Sequence, residues 1–114
     1  MPRQFLALFT LTIAATAALT RNRFVGHDGD VAAAAGNALG VTRTDAASGE
    51  DLSVDVLGTA VVEAGGAIAA GAAVEVGADG KAVTLAAGEK VGRLAPGSSA
   101  SADGQLVEII LIAN

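Results

Sequence analysis

The chain contains no cysteine, no tryptophan, no tyrosine and only one histidine. Without cysteine there is no disulfide framework and no thiolate metal site, and the redox compartment is left open. Without Trp and Tyr, the aromatic bulk falls to three phenylalanines, all within the first 24 residues. The 52% apolar content is inflated by alanine. Each buried alanine methyl is worth about 0.8 kcal/mol, against roughly 1.5–3 kcal/mol for a buried Val, Leu or Ile. A core of alanine and valine is thin for 114 residues, so the chain gains by burying surface against copies of itself or a partner.

The histidine supply also limits chemistry. His27 lies beside Asp28 in a turn, but a general base needs a nucleophile to serve. No G-x-S-x-G occurs, and serines gather in loops such as "GSSAS" (97–101). Asp28-Gly29-Asp30 hints at a calcium loop, yet the twelfth position is Leu39, where a bidentate Glu is required. "GADGK" (77–81) lacks the glycine spacing and the following Ser or Thr of a phosphate loop. Gly36-x-x-x-Gly40 lacks the long apolar helix that would make it a membrane dimer motif. No catalytic residue, cofactor or metal site is therefore expected, and the chain does not read as an enzyme.

Acidic residues are missing from the first 27 positions, which carry Arg3, Arg21 and Arg23 for a charge of +3. The remainder carries four bases and twelve acids, for −8. An acidic body argues against a nucleic-acid partner, which needs a basic footprint. The three arginines either meet an acidic partner surface or keep an exposed arm soluble.

What is present is strand pattern and turn chemistry. The length fits one domain, 1–114, with 1–20 as an N-terminal strand or arm. "FLALFTLTIAATAALT" has two readings. Arg3, an apolar run and Ala15-Thr16-Ala17 resemble a cleavable secretion signal. Against this, Phe5, Ala7, Phe9, Leu11 and Ile13 alternate with positions that drift to Thr10 and Thr12, the period of a strand. The run is too short and threonine-rich to span a bilayer as a helix, and no membrane partner is expected. We expect a strand over 5–13, with Phe5, Phe9, Leu11 and Ile13 facing protein and the threonines facing water.

Further on, Asp28-Gly29 between apolar runs signals a turn. Val31–Ala35 is too short before Gly36 to hold a helix. "EDLSVDVLGTAVVEAG" alternates as a half-buried strand. Val74 and Val76, the turn Gly77-Ala78-Asp79-Gly80, then Val83 and Leu85 spell a β-hairpin. "QLVEIILI" is an apolar strand, of the kind buried on both faces or covered by a neighbouring subunit. Segments 39–57 and 91–111 share an order of short strand, small-residue loop and longer strand. The expected fold class is all-β, a small antiparallel β-barrel or sandwich with turn-rich connections and no substantial helix.

"RFVGHDG", the long run "GNALGVTRTDAASGEDLSVDVLGTAVVEAGGAIAAGAAVEVGADGKAV", "VGRL" and the closing "VEIILI" resemble, in order, the small head-decoration or capsid cement proteins of tailed bacteriophages. That resemblance implies a mainly β fold and assembly as homotrimers on the outer surface of the head. It also implies contact with the major capsid protein and synthesis in the host cytoplasm, with the first strand kept. The family pattern supplies no residue-level binding motif. From the residues themselves, Phe5, Phe9, Leu11, Arg21, Arg23 and Phe24 are the candidate interface. Two rivals are a secreted or periplasmic β domain with a cleaved N-terminal signal, and a small carrier domain. The second is weakened because Lys81 lacks the apolar neighbours of a modified lysine.

Overall fold

A computed structural model describes residues 7–112. Eight strands follow in order: β1 (Ala7–Ala14), β2 (Phe24–Val25), β3 (Gly40–Thr42), β4 (Asp51–Glu63), β5 (Ala73–Val76), β6 (Ala82–Thr84), β7 (Gly92–Leu94) and β8 (Leu106–Leu111). One 3-10 turn, Ala78–Gly80, is the only helical element among the described residues. The strands run β2-β3-β4-β8-β7-β5-β6, with β1 added to β4 and every ladder antiparallel. The end of β4 meets β6 through an Ala64–Ala82 bridge and the bond from Gly65 N–H to Ala82 O. That seam nearly closes the sheet into the antiparallel barrel expected from the strand pattern.

β4 organises the whole. Its first half pairs with β1 on one edge and β3 on the other, and its second half pairs with β8. Gly58 lies between the halves with a φ of +90°, where any side chain would be strained. Two register shifts in the β1 pairing lie beside it, as expected of a β-bulge. The bulge lets a 13-residue strand serve two sheets without breaking. Gly40 meets a different demand: a Cβ there would lie 2.1 Å from the Asp55 carbonyl oxygen, so β3 can approach β4 only as glycine.

Two apolar clusters hold the fold. The larger fills the barrel with Phe24, Val62, Ile68, Val74, Leu94, Val107 and Ile109 among others. The smaller gathers Leu19, Val25, Leu52 and Val54 beside Ile13. Adjacent residues of β2 thus serve different clusters, Phe24 one and Val25 the other, by the alternation of a strand.

Most of the sequence pattern is realised. The 74–85 hairpin forms with Val76 opposite Ala82 and Val74 opposite Thr84. Asp79 and Gly80 both take positive φ in its turn. Val25 and Val31 bridge across the Asp28-Gly29 turn, where Asp28 Oδ1 accepts from Asp30 N–H. Segments 39–57 and 91–111 each form an antiparallel short-strand, loop, long-strand unit. In β1, Leu11 and Ile13 are half-buried and Thr10 and Thr12 exposed, as expected. Phe9 departs from the expectation of a core side chain, being 50% exposed, because it lies beyond the smaller cluster at the bulge.

Candidate functional site

The residues proposed for an interface separate into three groups. Phe5 lies outside the described residues. Phe9 and Arg21 offer surface, and Leu11 is half-buried. Phe24 and Arg23 are committed within the fold. Phe24 is only 1% exposed and belongs to the barrel core, so within the protomer its ring packs inside the fold. Its placement follows from β2, which is short and turned inward on both sides.

Arg23 is held in an ion network at the barrel seam. Its Nη2 donates to Glu63 Oε1 at 3.1 Å, and its Nη1 donates to the Asp79 carbonyl at 3.1 Å. Lys81 Nζ completes the network to Glu63 Oε2 at 3.3 Å and Asp103 Oδ1 at 3.0 Å. Those two carboxylates hold the Lys81 ammonium above its ordinary pKa, with Asp103 the stronger partner. The network ties β2, the end of β4, the β5–β6 turn and the β7–β8 loop. It closes a seam where the backbone ladder is sparse. Arg21 pairs at the surface with Asp45, whose carboxyl is held below its ordinary range first by the Arg21 backbone N–H and then by its side chain.

Asp55 is the unexpected residue. Its alternation with Leu52, Val54 and Val56 suggests a solvated face, yet it is 2% exposed. Thr10 Oγ1 donates to its Oδ1 at 3.1 Å, and Arg43 Nε lies 3.5 Å from the same oxygen. Desolvation pushes the carboxyl above its ordinary pKa, opposed by Thr10 and then Arg43. A recess of about 270 Å³ beside it is lined by Asn22, Thr42, Arg43 and Val61. That is below the ~300–1,000 Å³ usual for a ligand pocket. Among the described residues, no group of three or more His, Asp or Glu side chains could hold a metal ion.

Exposed apolar side chains are the remaining feature. Phe9 (50% exposed) and Leu57 (39%) face each other across the β1–β4 pairing. Ile110 (44%) lies opposite Thr59 on β8, and Ile112 (37%) follows it. The sequence marked Phe9 and, through its apolar run, the 106–112 strand that carries Ile110 and Ile112, but not Leu57. The clue to the others is local: Leu57 directly precedes the bulge glycine, and Ile109-Ile110 puts bulky side chains on both faces of β8.

The chain aligns over 91% of its length with 93% of a solved structure, the N base of head fiber gp8.5 in bacteriophage phi29. The TM-score is 0.73 at 23% sequence identity, a likeness of fold. No curated protein matches. The model of the phage cement protein family matches residues 5–111, from the strand that a signal peptidase would remove to the end of β8. Neither description is that of an enzyme. The chain belongs to the phage cement protein family, structural proteins associated with the phage capsid.

Proposed function

We propose that this protein binds the outer surface of a phage head as a homotrimer and stabilises the lattice of the major capsid protein. The family match over residues 5–111 carries the reading. The physical basis is mass action. A protein that binds the assembled lattice and not free subunits stabilises the lattice by the free energy of that binding. The thin core and the exposed apolar side chains suit a protein that works by burying surface. Of the candidate contacts, the exposure of Phe9 and Arg21 supports their meeting a neighbour, whereas Arg23 and Phe24 hold the fold of the protomer.

The rival reading, a cleaved signal, is disfavoured by the packing of β1. A cut after Ala17 would strip the strand from β4 and leave an open edge, a template for aggregation. It would also remove Ala15, which is 2% exposed in the smaller cluster.

Heads assembled without this protein should form but rupture at lower temperature or under milder osmotic shock. Adding the purified chain should restore resistance, with chelator present or absent. Heads equally robust without it would refute the stabilising role, and rescue lost on chelation would refute a metal-free mechanism.

A further inference from the structure

β1 and β8 lie on the same edge of β4. β1 and β3 pair with the same β4 residues, Val54 and Asp55, so they flank β4 on opposite edges. Glu63 N–H donates to Asn22 O on the β3 side, and the next N–H, that of Ala64, donates to Gln105 O on the β8 side. Successive amides of a strand point to opposite edges, which puts β8 on the edge shared with β1. The two strands therefore meet end to end at the bulge, with Ala7 opposite Gly58 and Ile110 opposite Thr59. Phe9, Leu57, Ile110 and Ile112, four of the five large apolar side chains that are exposed among the described residues, gather at this junction.

We propose that this junction is the face through which copies of the chain meet one another. The inference rests on the reading of the protein as an oligomer and names the surface responsible. Charge selects the face: each copy carries a net −5, so two copies meet with least repulsion through a face that carries no charge. Phe9, Leu57, Thr59 and Ile110 form such a face. Arg93, exposed and opposite Ile110 on β7, borders it with a positive charge that suits an acidic neighbour of the same kind.

Area agrees with this role. From their fractional exposures the four together expose on the order of 300 Å², within the range of the largest apolar patch on a typical monomer, which is often functional. A stable interface buries about 800 Å² per partner. The patch is thus the apolar centre of an interface whose rim is polar, the anatomy of a typical protein contact.

The test is native mass spectrometry and sedimentation of the free protein over a concentration series, comparing wild type with Leu57→Glu/Ile110→Glu and Leu57→Lys/Ile110→Lys. Both positions are exposed, so circular dichroism should show the fold retained. Wild type should associate, and both variants should be monomeric at concentrations where it does, because either charge is costly to bury. Wild type monomeric throughout, or folded variants that associate like wild type, would overturn the proposal. If the pairs prevent folding, the single changes Ile110→Glu and Ile110→Lys carry the same comparison. Head binding is measured separately. Variants that stay oligomeric but lose heads would assign the face to the capsid and overturn the inference while leaving the proposed function intact.

Discussion

Two phenylalanines separate the core of the protein from its surface, and replacing each with alanine measures that separation. Phe24 is 1% exposed in a barrel interior composed largely of Val, Ala and Ile. Its truncation should cost about 3–5 kcal/mol, the transfer free energy of the ring plus the cavity left behind. Phe9 is 50% exposed, so about half that figure, roughly 1.5–2.5 kcal/mol, is expected in the isolated protomer. Domains of this size have only about 5–15 kcal/mol in total, and a core rich in alanine places this one toward the lower end. Phe24→Ala should therefore be partly unfolded without denaturant, whereas Phe9→Ala should show a complete folding transition at a lower midpoint. With no Trp or Tyr, urea unfolding is followed by far-ultraviolet circular dichroism at low protein concentration. If Phe9→Ala costs as much as Phe24→Ala in dilute protomer, the placement of the two rings is wrong. Raising the protein concentration should increase the Phe9→Ala deficit alone, because association covers that ring.

Asp55→Asn should stabilise the protein at neutral pH. Burial raises the carboxyl's pKa in the fold, so folding takes up a proton, and stability falls as pH rises from the unfolded value near 3.9 through the folded one. The amide keeps an acceptor for Thr10 and removes that slope; urea midpoints between pH 3 and pH 8 check this, and a variant weaker at pH 7 would show that the Arg43 pair outweighs desolvation. Glu63→Gln should cost about 1 kcal/mol at low ionic strength by cutting the links from Arg23 and Lys81. That deficit should shrink in high salt as the charges are screened, and a deficit insensitive to salt would mean that packing, not charge, closes the seam.

The parts of the fold legible in the sequence are those whose cause is local. The 74–85 hairpin announces itself because Asp79-Gly80 can take positive φ between alternating valines. β1 is legible by its period of two. Asp55 was not, because its burial comes from Thr10, 45 residues away, and from Arg43 crossing from the end of β3. The single strand over 50–65 was legible in its alternation, but the bulge at Gly58 was not, because only the junction with β1 and β8 shows it. The contact face suffers the same blindness. Phe9, Leu57 and Ile110 come from three strands far apart in the chain, and no spacing in the sequence joins them. The places of Arg23 and Phe24 within the protomer were not legible either, because charge and size at an N-terminal arm suggest exposure. The ladder of β2 with β3 turns Phe24 inward, and Glu63 occupies Arg23.

The most direct measurement is an electron-microscopic reconstruction of heads with and without this protein at equal resolution. The account predicts added density on the outer surface alone, in three-lobed units that bridge adjacent major capsid subunits, with the junction of β1 and β8 turned toward the local threefold axis. Density inside the shell, isolated single lobes, or heads that bind none of the added protein would contradict it.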